Sequence, residues 1–244
     1  MRHPYGEDLA YIHHVGFGDF AAGAAPGILR LLRSYGVNTG LVVDLGCGSG
    51  IWAEVLLRSN YQVLGVDASA AMIRLARRRL PGGKFVKRSL HTVALPACAA
   101  VTAIGESLNY LPASGAEVGL DAIFQRVFTA LRPGGVFIFD VAEPSLAHAE
   151  PGMRSFVEGK DWAVLVEKQA DPARRLLNRR IIAFRQQGKA YRRSEEFHQL
   201  RLYDRAEIIS RLQPAGFRVR VLSGYANQRL LPGRVGFLAA KPGP

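Results

Sequence analysis

The sequence is poor in cysteine, with Cys47 and Cys98 as its two examples in 244 residues. Two cysteines are too few for a disulfide framework, and no group of cysteines and histidines has the spacing of metal ligands. No apolar run approaches the roughly 18 residues that cross a bilayer. The N-terminal segment MRHPYGEDLAY carries acidic residues where a signal peptide needs its apolar stretch. These absences predict a cytoplasmic protein without a membrane partner.

Acidic residues are scarce relative to basic ones. The chain has 20 Asp and Glu against 32 Lys and Arg, which gives a net charge of +12. Such an excess suits an anionic partner, for example a phosphorylated or carboxylated substrate or a nucleic acid. The arginines are spread along the chain, however, and this favours the simpler explanation of a generally basic, solvated surface. Charge alone therefore leaves the partner open.

Short apolar strands alternate with helices through the first part of the chain. Strands are predicted at 41–45, 62–67, 84–87, 101–104 and 136–141, with helices at 51–58, 70–80 and 117–131. This alternation predicts an α/β protein with a parallel sheet covered by helices on both faces. Ligands of such sheets bind beyond the carboxyl ends of the strands. The informative loops are therefore those after Leu45, Val66, Ile104 and Phe139.

The two ends of the chain have different patterns. Helical spacing over residues 5–35 predicts two helices, with Pro26 in the first turn of the second. Residues 160–203 predict an antiparallel meander of three strands, at 162–167, 176–184 and 193–202. A helix at 205–213 and strands at 218–222 and 235–241 follow. The expected domains are a helical lid (1–37), a core (38–143), an antiparallel β insertion (144–203) and a C-terminal part of the core (204–244).

A glycine-rich turn, Asp44-Leu45-Gly46-Cys47-Gly48-Ser49-Gly50, follows the first strand. Glycines at alternate positions allow a sharp turn and leave room for a ligand, and the next helix presents its free N–H groups there. A dinucleotide fingerprint needs glycine at position 51, where this chain has Ile51. Asp67, at the tip of the second strand, can accept hydrogen bonds from both hydroxyls of a ribose.

These motifs carry a family resemblance. DLGCGSG (44–50), followed by VDAS (66–69) and Met72, resembles the first two motifs of the class I (Rossmann-like) S-adenosylmethionine-dependent methyltransferases. ALRPGGVFIFDV (130–141) resembles that family's segment from a helix into the fifth strand. The resemblance implies a doubly wound, mostly parallel seven-stranded sheet with an antiparallel last strand. It also implies S-adenosylmethionine as the cofactor.

The resemblance assigns roles around the cofactor. The glycines would face its methionine part, Asp44 would hold the loop and the amino group, and Asp67 would bind the ribose. Ser89 stands where the family often has an acidic residue against the adenine. The residues expected at the cofactor are Asp44, Gly46, Gly48, Gly50, Asp67, Ala68, Met72, Ser89 and Leu90.

Candidates for the acceptor side come from three segments. Glu106 follows the fourth strand, in the loop that passes near the methyl group in the family, although capping of the next helix is a competing role. His14 in the lid, with His13 as its alternative, could act as a base near neutral pH. His198 in the insertion would lie in the roof of the acceptor pocket. The residues expected to bind the acceptor are Tyr11, Phe17, Tyr110 and Arg201.

Methyl transfer from a sulfonium is an in-line displacement, so an enzyme mainly supplies proximity and orientation. The leading interpretation is a small-molecule N- or O-methyltransferase, because the lid and the insertion resemble those of small-molecule members. The arginines of the insertion keep an RNA or other nucleic-acid methyltransferase open. A third interpretation is a regulator that binds S-adenosylmethionine without catalysis, and a nicotinamide oxidoreductase ranks last. The acceptor atom and the oligomeric state stay open.

Overall fold

The computed structural model describes residues 4–111, 119–146 and 153–243. Its first half contains α1 (Glu7–Gly16), α2 (Asp19–Ser34), β1 (Gly40–Leu45), α3 (Ile51–Arg58), β2 (Tyr61–Asp67), α4 (Ala70–Arg79), β3 (Lys84–Lys87), β4 (Cys98–Ala103), a 3-10 turn (Ser107–Asn109), α5 (Leu120–Ala130) and β5 (Leu131–Ala142). Its second half contains β6 (Arg154–Glu158), β7 (Trp162–Asp171), β8 (Leu176–Gln187), β9 (Ala190–Arg201), α6 (Arg205–Leu212), β10 (Arg218–Leu222), β11 (Gly224–Tyr225), β12 (Gln228–Arg229) and β13 (Arg234–Ala240).

Seven of the described strands form the central sheet, in the order β10-β13-β5-β4-β1-β2-β3. The pairs from β5 to β3 are parallel, whereas β13 runs antiparallel to both β5 and β10. The predicted sheet and its antiparallel last strand are therefore confirmed. The chain order reverses between β1 and β4, and at such a switch point the strand ends open a crevice for ligands.

The middle of this sheet is buried on both faces. Every residue of β4 is buried, as are the last four of β1. One apolar cluster on the α5 side contains Phe124, Phe137 and Phe139, and another on the opposite side contains Ile28, Leu56 and Tyr225. This two-sided burial explains the unbroken apolar runs that the sequence shows in these strands.

The position predicted for Pro26 is wrong. Helix α2 begins at Asp19, so Pro26 lies inside the helix instead of in its first turn. Proline has no N–H to donate, so the carbonyl of Ala22 loses its helical partner. Both residues are exposed, where water can replace the missing bond. The buried face of α2, including Ile28 and Leu32, holds the helix in place despite this break.

A second, four-stranded sheet of β6, β7, β8 and β9 forms the roof of the molecule and is antiparallel throughout. The predicted meander supplies three of these strands, but β6 was not anticipated. Edge strand β6 has no buried residue, so its sequence lacks the alternation that marks a half-buried strand. In β9 the alternation is clear, because His198 and Leu200 are buried while Phe197 is exposed.

Small differences occur around α5 and at the end of the chain. The predicted helix at 117–131 corresponds to α5, but residues 117 and 118 lie outside the described residues. Strand β5 already begins at Leu131 and includes the segment that was expected to be a turn. The short β11–β12 hairpin was not predicted.

Helix α1 lies between the two sheets. Its Leu9 and Ile12 pack against Trp162 of the roof, and its Ala10 packs against Met72 of α4. Among the described residues no single helix has the length and apolar composition of a membrane span, although the bent pair α1 and α2 meets these criteria when taken together.

Candidate cofactor and acceptor site

The glycine-rich turn after β1 is held against its neighbours by backbone geometry. Gly46, Gly48 and Gly50 have φ values of 76°, 52° and 81°, a region that favours glycine. The Gly46 and Cys47 N–H groups both donate to the Val66 carbonyl, which ties the turn to β2. A Cβ added at Gly46 would lie 2.4 Å from Ser107 Oγ, whereas one at Gly48 would meet nothing nearer than Met72 Sδ at 4.0 Å. The backbone at Gly48 therefore faces open space.

Asp67 closes this turn from the end of β2. Its Oδ2 accepts from the Gly48 N–H at 2.9 Å, and its Oδ1 accepts from the Ser69 N–H at 2.7 Å. Burial raises the pKa of Asp67, although these two N–H groups act in the opposite direction. A half-buried carboxylate of this kind is a strong acceptor for ligand hydroxyls.

Asp44 ends a buried hydrogen-bonded chain. The Trp52 indole donates to Thr102 Oγ1 at 3.1 Å, and the Thr102 hydroxyl donates to Asp44 Oδ1 at 2.7 Å. Burial raises the pKa of Asp44 to about 7, against the opposing effect of the Thr102 bond. A ligand cation beside Asp44 would favour its ionised form.

A cavity of about 340 Å³ opens beside this turn, within the range of about 300–1,000 Å³ that is typical of small-ligand sites. Of the residues that the resemblance assigns to the cofactor, all except Gly50 line it. A Cβ added at Gly50 would instead meet Ala76 of α4 and Leu80, which follows that helix. The cavity combines the carboxylates of Asp44 and Asp67 with the apolar surface of Val66, Met72 and Leu90, which fits a nucleoside attached to a cationic group.

A second cavity of about 390 Å³ lies between helix α1, the roof and the core sheet. Six residues line both cavities: Tyr5, His13, Phe17, Phe20, Gly105 and Tyr110. The second cavity is largely apolar, with contributions from Leu9, Val164 and Ile181. Its charged wall consists of Glu106, Asp140, Lys168, Arg179 and Arg234.

Glu106 is in this wall but is fully engaged. Its Oε2 accepts from Arg179 Nη2 at 3.0 Å, and its Oε1 pairs with Arg234 Nε. Burial alone would raise the pKa of Glu106, but the two guanidinium groups outweigh it and hold this pKa below its ordinary value. Such a carboxylate is a weak proton acceptor.

The two lid histidines have different environments. His14, the predicted base, has its Nδ1 2.9 Å from Ser49 Oγ, and burial lowers its pKa. His13 lines both cavities, and its buried Nδ1 has no hydrogen-bond partner in the part of the chain that is described. Burial, helped by the neighbouring imidazoles of His14 and His198, lowers the pKa of His13 to about 4. His13 is therefore neutral at physiological pH.

The other predicted acceptor residues divide into two groups. Phe17 and Tyr110 line both cavities, and the Tyr110 hydroxyl lies 2.9 Å from that of Tyr5. Three others lie outside the cavity walls that the described residues form. The Tyr11 hydroxyl donates to Asp161, His198 Nε2 lies 2.9 Å from Glu196 Oε2, and the Arg201 guanidinium lies over the Tyr203 ring.

The sequence assigned no site role to Tyr5, Phe20, Lys168 or Arg234. It indicated Arg179 only as one of the arginines of the insertion that keep RNA or an anionic substrate open. A signal existed for Arg179, because Leu177, Ile181 and Ala183 place the buried face of β8 at alternate positions, and Arg179 is in the same phase. The sequence gives no comparable indication for Arg234, because it is the first residue of its strand and has no alternating pattern before it. It reaches the site only because β13 lies next to β5 in the sheet.

The comparison with known families agrees with this geometry. Residues 42–135 match the family model described as "Methyltransferase domain". The matched segment is less than half of the chain and contains the glycine-rich turn and Asp67, and the sheet order around it is that of a Rossmann-like fold.

Individual relatives refine the comparison. Trans-aconitate 2-methyltransferase from Paracidovorax citrulli (strain AAC00-1) is 33% identical over 139 residues, which are 56% of this chain and 52% of that protein. The chain thus spans about half the length of the curated relatives it matches. An S-adenosylmethionine-dependent methyltransferase from Clostridium acetobutylicum ATCC 824 superposes with a TM-score of 0.81 at 20% identity, over 96% of this chain and 98% of that one.

A third similar structure is CalS10 with bound S-adenosylmethionine, an amino pentose methyltransferase from Micromonospora echinaspora. It superposes with a TM-score of 0.75 at 21% identity and covers 99% of this chain and all of its own. At these identities, the likeness to the two solved structures shows a shared fold.

Proposed function

We propose that this chain transfers a methyl group from S-adenosylmethionine to a nitrogen or oxygen atom of a small, anionic molecule. The observation that carries the proposal is the pair of adjoining cavities. One cavity lies beside the glycine turn, Asp44 and Asp67, and the other has a wall with three cationic side chains. Six residues line both cavities. An arrangement of this kind places two small ligands side by side, which is what an in-line transfer requires.

The cofactor cavity would be used as the resemblance implies. S-adenosylmethionine, when bound, supplies a methyl group already activated on a sulfonium. Asp67 would accept hydrogen bonds from the ribose, and Asp44 would bind the amino group. Ser89 and Leu90 would face the adenine.

The chain's contribution on the acceptor side is position and exclusion of water. Helix α1 and the roof cover the second cavity, and Tyr5 and Tyr110 would orient the acceptor between the two sites. For an acceptor that must lose a proton, His13 is the best-placed side chain, because it lines both cavities and its Nδ1 has no partner among the described residues, but a pKa of about 4 makes it a weak base. His14, Glu106 and His198, the bases expected from the sequence, are engaged with Ser49, with two arginines and with Glu196.

A small acceptor is favoured over nucleic acid by the pairing of the roof arginines. Arg180 pairs with Glu195, Arg192 with Asp8, and Arg154 with Glu167. These carboxylates interrupt the basic stripe that a phosphate backbone would need. The trans-aconitate relative is consistent with a carboxylate-bearing acceptor. The second cavity also favours catalysis over a purely regulatory role, because it leaves about 390 Å³ next to the cofactor cavity.

The test is formation of S-adenosylhomocysteine by the purified protein with trans-aconitate, with an amino sugar, with RNA and without acceptor. We expect turnover with a small carboxylated acceptor well above the acceptor-free rate. Turnover with RNA alone would contradict the assignment of a small acceptor. If folded protein that binds the cofactor shows no turnover with any of these acceptors, the proposed catalysis is contradicted.

A further inference from the structure

Three charged side chains from separate parts of the chain meet in the wall of the second cavity. Glu106 follows β4, Arg179 lies on β8 in the roof, and Arg234 begins β13 of the core sheet. Glu106 Oε2 accepts from Arg179 Nη2 at 3.0 Å, while its Oε1 pairs with Arg234. The side chains are 8%, 14% and 20% exposed respectively, so water screens them poorly.

The backbone at Glu106 is fixed in an unusual conformation. Its φ of 62° is in the left-handed region, which is uncommon for a residue other than glycine. The N–H groups of Gly105 and Glu106 donate to the two carboxylate oxygens of Asp140 at 3.0 and 2.7 Å, and the Tyr225 hydroxyl donates to Asp140 Oδ2. Backbone strain of this kind persists where the surroundings hold it, and it is common at ligand sites.

Two guanidinium groups in the described part of the wall share one carboxylate. Arg179 and Arg234 both line the cavity and both pair with Glu106. Asp140 already accepts two backbone N–H bonds and the Tyr225 hydroxyl, so Glu106 is the carboxylate that faces the arginines.

A buried donor in this wall is also unused. Arg179 Nε has no hydrogen-bond partner among the residues that the structure describes. A buried donor without a partner costs free energy, and a bound acceptor atom would recover it.

We propose that Arg179 and Arg234 bind a carboxylate of the methyl acceptor, and that Glu106 is an internal counter-anion that keeps the two guanidinium groups oriented at the cost of weaker acceptor binding. This inference rests on the proposed function and specifies how its acceptor is recognised. The planar guanidinium fork matches a carboxylate in geometry. The apolar remainder of the cavity, with Leu9, Val164 and Ile181, suits the carbon skeleton to which that carboxylate is attached.

The test is calorimetric titration of the protein already saturated with S-adenosylhomocysteine. The probes are succinate, trans-aconitate, inorganic phosphate and succinamide, which has the shape of succinate without its charge. We expect saturable binding of a carboxylate and none of succinamide. Equal binding of succinate and succinamide, or no binding of either carboxylate, would overturn the inference. Tighter binding of phosphate would overturn the assignment of a carboxylate.

Variants separate the roles of the three side chains. Arg179→Gln and Arg234→Gln should each weaken carboxylate binding by about tenfold or more, because each removes a charge-assisted hydrogen bond. Glu106→Gln should tighten it several-fold, because a like charge is removed from beside the ligand. Arg180→Gln and Glu195→Gln, an exposed pair on the outer face of the roof, are matched controls that should leave it unchanged.

The outcomes also distinguish this inference from a purely structural ion cluster. If the cluster is purely structural, Arg234→Gln should leave the affinity for carboxylates unchanged. Glu106→Gln should then lower both that affinity and the stability of the protein. Where Arg179→Gln does not fold, Arg179→Lys, which keeps the charge but loses the fork, replaces it. Loss of S-adenosylhomocysteine binding in the native protein contradicts the proposed function, whereas intact binding of that compound without carboxylate binding overturns this inference alone.

Discussion

Asp44 is a residue whose ionisation opposes folding. It is buried at the end of β1, and burial raises its pKa from an ordinary 3.8 to about 7. Between these values the folded protein holds a proton that the unfolded chain releases. The stability contributed by this proton is present at low pH and is lost as the pH rises through about 7. At neutral pH and above, the free protein therefore carries a destabilising buried charge.

Asp44→Asn should accordingly stabilise the free protein while it weakens cofactor binding. We expect the free energy of unfolding at pH 8 to rise by about 1–3 kcal/mol, with a smaller change at pH 5. The Asn Oδ1 can still accept the Thr102 hydroxyl, so the buried hydrogen bond is kept. Urea unfolding at both pH values, together with calorimetric titration of S-adenosylmethionine, checks this. Equal stability changes at pH 5 and pH 8, or unchanged affinity, would contradict it.

At this scale, more of the residues predicted for the cofactor line a cavity than of those predicted for the acceptor. Asp44, Asp67 and the glycines belong to contiguous motifs, so their neighbours in the chain are also their neighbours in space. Arg179 and Arg234 belong to strands of different sheets and meet only after both sheets have formed. Adjacent residues His13 and His14 could not be told apart from the sequence, because the rotation of α1 decides which of them faces the cavities.

Helix α2 packs so closely against the segment around Tyr225 that one of its positions has no room for a side chain. Gly27 faces the backbone of Tyr225, and a Cβ added there would lie 2.3 Å from the Tyr225 carbonyl atoms. The Tyr225 hydroxyl in turn donates to Asp140. The close contact between α2 and this segment thus requires glycine at position 27.

Gly27→Ala should lower the free energy of unfolding by about 1–3 kcal/mol, because a backbone contact cannot yield as a side chain can. Gly23→Ala on the same helix is the matched control, since its Cβ would meet only the flexible Gln228 side chain. In the control, the better helix propensity of alanine, worth up to about 1 kcal/mol, should offset that contact. Denaturant unfolding of both variants is the measurement, and equal losses in the two would refute the account.

The start of α1 is held by Glu196 of the roof. Its two carboxylate oxygens accept from the Tyr5 and Gly6 N–H groups at 2.7 and 2.8 Å, and His198 Nε2 lies 2.9 Å from Oε2. Ser69 Oγ donates to the Tyr5 carbonyl at 2.6 Å from the core side. The lid is therefore attached both to the roof and to the core.

Glu196→Ala should loosen this end of the lid and leave the central sheet unaffected. We expect amide hydrogen exchange over residues 5–10 to accelerate by about tenfold or more, because charge-assisted hydrogen bonds are lost. Glu195→Ala, which alters the neighbouring exposed carboxylate, is the control and should leave this segment protected. Unchanged hydrogen exchange in Glu196→Ala would contradict this prediction, because Ser69 and the packing of Leu9 and Ile12 would then be enough to hold the start of α1.

At the scale of the whole molecule, the resemblance predicted the core in detail and the roof in outline. The central strands of the core are buried and apolar, so the number, order and antiparallel end of the strands follow from a known pattern. The roof has an exposed outer face, and its first strand β6 carries no apolar alternation. Its contact with the core combines a backbone bridge between Tyr110 and Leu200 with single side chains such as Asn109, whose Nδ2 donates to the carbonyls of Ala142 and Arg201.

The central claim is that the cavity beside the glycine turn binds S-adenosylmethionine, and one titration tests it most directly. Calorimetry with S-adenosylmethionine and S-adenosylhomocysteine should give saturable binding to the native protein and to Asp121→Ala, which removes an exposed carboxylate on α5. Asp67→Ala, and the more conservative Asp67→Asn, should bind at least about tenfold more weakly, because the carboxylate that would bind the ribose is lost. Native, folded protein that binds neither compound, or Asp67 variants that bind as tightly as the native chain, would contradict the account.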